Sequence, residues 1–170
     1  MCNRPRAGVG AGIAHMLFIV FQLGTDRYAI GADQMVEVLP LVALKRLPQA
    51  ARGVAGAFDY RGQPVPVIDL NELAFGEAAP PRVSTRLLLV HYPLGAGGTR
   101  ILGLIAGRAT GTLRREPEDF TEAGVAVPDA PYLGPVTRDE RGLIQRVDVR
   151  KLLPPALQEL LFQPAATAET

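Results

Sequence analysis

Two histidines and one cysteine are the imidazoles and the thiol of this 170-residue chain, the side chains best suited to zinc or thiol chemistry. Cys2 and His15 fall in a Gly/Ala-rich opening segment, and His91 lies in the aliphatic run Leu87-Leu88-Leu89-Val90-His91-Tyr92. A partly buried, hydrogen-bonded imidazole is the expectation for His91. Structural zinc takes four Cys or His ligands, more than these residues supply. Nucleophilic catalysis needs a Ser or Cys beside a base, and neither a Ser-x-Gly elbow nor a Cys–His pairing occurs. Gly8-Val9-Gly10-Ala11-Gly12 has the glycines of a phosphate loop, but no strand pattern precedes it and no Lys-Ser/Thr follows. Carboxylates cluster at Glu116, Glu118, Asp119 and Glu122. Acid–base pairs require burial to part their pKa values, and the Pro and Gly neighbours place this run in a solvated loop. Asp69 and Asp148 precede short apolar runs and are read as helix caps. The chain is expected to carry no catalytic residue, no metal and no cofactor.

Charge narrows the partner classes. The 18 basic and 17 acidic residues nearly cancel, whereas a protein that neutralises many phosphates carries a basic excess or stripe. Aromatic residues make up 6% of the chain, with no Trp, which removes the usual stacking platforms for single strands. Nucleic acid is not an expected partner. A single cysteine forms no intrachain disulfide, as in proteins of a reducing compartment. Arg4 and Arg6 precede an apolar stretch, but no small-residue cleavage site follows its strongly apolar part. The expectation is a flexible leader over 1–15, with Met16 a start, and a disordered tail over 163–170. No window approaches the roughly 20 apolar residues of a membrane span, so a cytoplasmic protein without membrane insertion is expected.

The elements between are short strands cut by 18 Gly and 15 Pro. Residues 16–23 and 27–30 read as a hairpin around Gly24-Thr25-Asp26, followed by a single turn at 32–35. Val36-Glu37-Val38-Leu39 alternates in and out until Pro40, and 41–47 reads as a further extended piece. Val54 to Tyr60 and Gln63 to Ile68 form a hairpin reversed at Arg61-Gly62. Pro64 and Pro66 cannot donate to a ladder, so their ring nitrogens should face an unpaired side. Asp69 then caps a helix over 70–75, with Glu72 at capping-box spacing. A loop over 76–84 leads to strands at 85–92 and 99–106, extended by 109–113, with a turn over 93–98 between them. Residues 114–131 read as a long loop, 132–137 and 143–147 as a last hairpin, and 156–162 as a helix.

The two halves echo each other. Val67-Ile68-Asp69-Leu70-Asn71-Glu72-Leu73 and Arg146-Val147-Asp148-Val149-Arg150-Lys151-Leu152 share one layout of strand, capping Asp and short helix. Each closes a group of about five short strands. Two small barrel-like lobes follow, roughly 30–85 and 86–150, since closing a sheet removes its exposed edges.

The stretch 53–73 resembles the central signature of CheW-like domains, in which a Gly-Val opens a strand ending in Asn-Leu-Arg-Gly before a Val-Pro-Val-Ile-Asp-Leu return. The matching residues are Gly53-Val54, Asp59-Tyr60-Arg61-Gly62 and Val65-Pro66-Val67-Ile68-Asp69-Leu70. Phe21, Leu23-Gly24 and Tyr28-Ala29-Ile30 are similar to the family's first hairpin, and Val36-Glu37-Val38 to its next strand. Ile101-Leu102-Gly103-Leu104-Ile105 and Tyr132-Leu133-Gly134 fall where the second lobe has comparable motifs. The resemblance covers about 16–162. It implies a mainly β fold of two five-stranded SH3-like barrel lobes (intertwined, with short helices).

It also implies an adaptor rather than an enzyme. One surface would bind the regulatory domain of a CheA-type histidine kinase, and another the cytoplasmic tip of a methyl-accepting receptor at membrane arrays. Arg61, Val36, Glu37 and Val38 are the partner-binding residues that the resemblance implies, Arg61 through a bidentate contact with a carboxylate. Departures from the pattern are Asp59-Tyr60 for Asn-Leu, Ala106-Gly107 for Val-Asp, and Gln145 and Arg146 in an otherwise apolar strand. They point to a dedicated kinase outside flagellar chemotaxis, as in Wsp-type surface sensing that ends in a diguanylate cyclase. The alternative is a small β-barrel binding nucleic acid or a nucleotide, which would need surface aromatics and a basic groove.

Overall fold

The computed structural model describes residues 16–94, 97–124 and 127–162. The leader expected over 1–15 and the tail expected over 163–170 lie outside the described residues. The chain begins with the hairpin of β1 (Met16–Leu23) and β2 (Asp26–Gly31), then a 3-10 turn at Ala32–Gln34 and β3 (Met35–Pro40). The hairpin of β4 (Val54–Tyr60) and β5 (Gln63–Asp69) runs into helix α1 (Leu70–Phe75). After the loop come β6 (Thr85–Pro93), β7 (Thr99–Arg115), β8 (Leu133–Asp139) and β9 (Gly142–Val147). A 3-10 turn at Val149–Lys151 and helix α2 (Pro155–Leu161) finish the described chain.

Two stretches differ from expectation. Residues 41–47 make one isolated bridge, Lys45 to Ala57, instead of a strand. The return at 99–106, its extension at 109–113 and the start of the supposed long loop are one strand, β7. It kinks at Gly107-Arg108, where β1 shifts register between Val20 and Gln22. Arg108 takes φ 43° at this bulge and donates its backbone N–H to Ser84 O.

That kink passes β7 from one lobe to the other. Its first part pairs with β6 on one side and, in parallel, with β5 through Val67–Gly103, Ile68–Leu104 and Asp69–Ile105. Its second part pairs with β1. One lobe therefore holds β3, β4, β5, β6 and the start of β7, and the other holds β1, β2, the end of β7, β8 and β9. The strands do not divide into successive stretches 30–85 and 86–150. Each half of the chain lends its leading hairpin to the other half's lobe.

The echo between the halves is real in the backbone. The N–H of Asp69 bonds Gly53 O at 2.7 Å, and the N–H of Asp148 bonds Tyr132 O at 2.8 Å. Asp69 Oδ1 accepts from the N–H groups of Asn71 and Glu72, and Asp148 Oδ1 from that of Arg150. Each lobe is drawn closed by a single bridge, Lys45–Ala57 in one and Thr121–Val136 in the other. Gly56, at φ 148°, permits the first, because a Cβ there would sit 2.4 Å from Lys45 O.

β6 shows why its sequence is aliphatic without alternation. Leu87 and Leu89 point into the core of the first lobe with Val65, Val67 and Ile105. Leu88, Val90 and Tyr92 point into the larger core between the lobes with Phe21, Ile30 and Leu104. A strand covered on both faces needs apolar residues at every position. Each such side chain contributes about 1.5–3 kcal/mol on burial.

Candidate functional site

The reversal at Arg61-Gly62 is a two-residue turn with both residues left-handed, φ 51° and 83°. Such turns match the twist of the flanking strands, and they favour Asn, Asp or Gly at the first position. An arginine there is unusual. Its position is fixed from below by β4 and β5. Ala57 exchanges both backbone hydrogen bonds with Lys45, at 2.8 and 2.9 Å, so its amide and carbonyl face away from β5. Its cross-strand partner Pro66, and Pro64 opposite Asp59 by the same parity, turn their ring nitrogens outward. That half of β5 has no second neighbour, whereas Val67–Asp69 pair on both sides. The expected unpaired side exists, confined to the prolines.

Across from the turn lies β3, which ends the strand order of the sheet. A register shift between Met35 and Glu37 re-aims its residues. Val36 packs against the core of the first lobe, and Val38 is 38% exposed. Glu37 faces the turn. Tyr60 donates its hydroxyl to Glu37 Oε2 at 2.6 Å, and this bond holds the Tyr60 phenol above its ordinary pKa. The Arg61 guanidinium stacks on the Tyr60 ring, 5.1 Å from its centroid. Arg61 Nη2 stands 3.8 Å from the same Glu37 oxygen, with the Arg61 side chain 78% exposed. Charge-assisted hydrogen bonds are about 2.7–2.9 Å long. At 3.8 Å Arg61 and Glu37 make an ion pair without a hydrogen bond.

The structure brings Arg61 and Glu37 together, with Val36 and Val38 on the same strand. Sequence reasoning missed Tyr60, seen only as a departure from a pattern. Its signal was parity: Phe58 and Tyr60 share the face of β4 that packs on the core under β3. Other chemistry-bearing residues stand apart. His91 is exposed on β6, a correction to the partly buried imidazole expected. It has the parity of Leu87 and Leu89 and stands opposite the half-buried Ile101, at the margin of the core they fill. Glu118, Asp119 and Glu122 are exposed, and Asp119 accepts the backbone N–H of Glu116 at a 3-10 turn. Among the described residues, no group of three His, Cys, Asp or Glu could hold a metal ion. No described helix is long and apolar enough to cross a membrane.

The family model of the CheW-like domain matches residues 17–156. The chain belongs to the CheW-like family. This CheW-like chain is 31% identical over 104 residues to "Chemotaxis protein CheW" of Helicobacter pylori. It is 33% identical over 101 residues to "Protein FrzA" of Myxococcus xanthus. Those alignments cover 61% and 59% of this chain and 59% of each relative, so the chain spans under two thirds of the curated relatives it matches. The crystal structure of scaffolding protein TtCheW from Thermoanaerobacter tengcongensis superposes with TM-score 0.73 at 18% identity, over 85% of this chain and 92% of that one. At that identity the likeness carries the CheW-like fold: mainly β, in two SH3-like lobes.

Proposed function

We propose that this chain is a non-catalytic coupling protein that joins the cytoplasmic tip of a methyl-accepting receptor to the regulatory domain of a CheA-type histidine kinase. Family membership supports the coupling role, and the relatives named for chemotaxis and scaffolding agree with it. The observation that carries the site is Arg61: a mostly exposed guanidinium on a left-handed turn, stacked on Tyr60 beside the edge strand β3. Val38 offers exposed apolar surface on that strand, and Val42 and Leu47 continue it along the chain. Arginine and tyrosine are enriched in protein-binding hot spots, and Arg61 stacked on Tyr60 supplies both. The protein works in the cytoplasm, recruited to receptor arrays.

Affinity purification of the tagged protein with mass spectrometry of its partners tests the role, and recovery of receptor and kinase is the expected result. Arg61→Glu should weaken capture of at least one of them by about tenfold, the loss of one charge-assisted pair. The fold should remain, because position 61 is an exposed turn. Unchanged capture would remove Arg61 from the site. The departures at Tyr60, Gly107, Gln145 and Arg146 further support a dedicated pathway of the Wsp type, with cyclic-di-GMP as its output. Selective capture of a Wsp-type receptor over a flagellar one is the expected result, and the reverse selectivity would overturn it.

A further inference from the structure

At Gly107-Arg108, where β7 passes between the lobes, two cavities adjoin. One, of about 590 Å³, lies between the β1–β2 turn and the loop after α1. The other, of about 460 Å³, lies between β1, the second part of β7 and the β8–β9 turn. Gln22 and Arg108 line both, and each is of a size that holds a small molecule. Their described lining carries four guanidiniums, Arg27, Arg82, Arg108 and Arg141, against two carboxylates, Glu77 and Asp139. Arg27 and Asp139 satisfy each other. Arg82, Arg108 and Arg141 make no ion pair with another described residue.

The backbone under each of these three arginines is tied in place. Arg82 donates its N–H to Thr85 Oγ1 at 3.1 Å, and that buried hydroxyl donates to Pro80 O at 2.9 Å. Arg141 donates its N–H to Asp139 Oδ1 at 2.8 Å. Arg108 donates its own to Ser84 O at 2.9 Å while holding φ 43°, a region that disfavours a Cβ. A side chain kept in such a conformation at the wall of a cavity marks a functional constraint. Unpaired guanidiniums in a concave site concentrate anions. A carboxylate offers two oxygens in one plane, whereas a phosphoryl group offers three around a tetrahedron and can meet donors from separate segments. No aromatic side chain is among the described lining residues, so no platform for a base is present. We propose that the kink of β7 is a binding site for a small phosphoryl polyanion of the pyrophosphate class, held between the lobes by Arg82, Arg108 and Arg141. The site stands apart from the Arg61 turn, which opens β5, whereas α1 follows that strand's far end.

Isothermal titration calorimetry of the full chain with sodium pyrophosphate at low salt tests this. One saturable site is expected, its affinity falling as salt is raised, with inorganic phosphate bound about tenfold more weakly. Arg108→Gly removes a guanidinium and suits the left-handed backbone. It should melt at or above the wild-type temperature and bind pyrophosphate about tenfold more weakly or worse. Arg82→Gln should lose affinity to a similar degree. Arg100→Gln, an exposed arginine at the start of β7 and outside both cavities, should bind like wild type. Equal losses from Arg100→Gln and Arg108→Gly would reveal diffuse charge attraction and overturn the assignment. So would the absence of saturable binding, or unchanged affinity in Arg108→Gly. ATP should bind no more tightly than tripolyphosphate, and a preference for ATP of about tenfold or more would overturn the choice of an anion without a base.

Discussion

Arg61 occupies a backbone conformation that costs a side chain with a Cβ about 1 kcal/mol. Asn relieves much of that cost in two-residue turns of this kind. Arg61→Asn is therefore expected to raise stability by about 0.5–1 kcal/mol in urea denaturation while weakening partner capture. A variant that gains stability and keeps full capture would show that the arginine is only a turn residue. Asp69 is the opposite case, a residue whose work is internal. It is 4% exposed, and its carboxylate accepts three backbone N–H groups, those of Asn71, Glu72 and Ala79. Asp148 accepts from one backbone N–H and from the Arg150 side chain. Asp69→Ala should cost about 2–3 kcal/mol and Asp148→Ala about 1 kcal/mol. Equal losses from the two would contradict the difference in their bonding.

At the scale of elements, the last hairpin is tied to the first by charge. Arg27 on β2 makes a two-pronged contact with Asp139 at the end of β8, one prong being Nη1 to Oδ2 at 2.7 Å. Asp139 also accepts the backbone N–H of Arg141, and Arg27 reaches Gly142 O. The guanidinium, chiefly by hydrogen bonding, holds the Asp139 carboxyl far below the usual carboxylate range. Its folded-state pKa is lowered, so the stability it confers is complete above the unfolded value of about 3.9 and fades as pH falls through the folded value. Thermal melts between pH 5 and pH 2 should show this loss in the wild type. Asp139→Asn should start about 1–2 kcal/mol less stable at pH 7 and show a flatter acid limb. A mutant with an unchanged acid limb would mean that other carboxylates govern it. In the same lobe Arg146 lies over Phe18 and Phe120, at 5.3 and 5.9 Å from their centroids. The charge that departs from an apolar strand thus covers the aromatic pair instead of entering the core.

Over the whole molecule, the exchange of hairpins binds the lobes into one cooperative unit. β1 and β2 pair with β7 and β9, and β3 and β5 with β6 and β7, so neither half of the chain can complete a lobe alone. Cutting the chain in the 77–84 loop should leave two fragments that lack stable structure separately and regain the β-sheet signal when mixed. Urea unfolding of the intact chain should follow one transition by circular dichroism and by tyrosine fluorescence alike. A fragment that melted cooperatively on its own would mean that each half can close its own lobe.

Much of this was legible in the chain itself. Helix α1 sits at residues 70–75, as the capping Asp69 and the apolar run after it required, and the 60–63 reversal and outward prolines follow from local sterics. These features depend on neighbours within a few residues, which is what a sequence displays. The pairing of hairpins was not legible, because β1–β2 and β6–β7 carry similar apolar patterns and either could cover either core. The exposure of His91 depended on where a neighbouring core ends, and the continuity of β7 on a bulge that sequence shows only as Gly107-Arg108. The hold of Tyr60 on Glu37 joins residues 23 apart, and that of Arg27 on Asp139 residues 112 apart. Contacts of that reach exist only once the sheet has chosen its register, and that choice belongs to the tertiary structure.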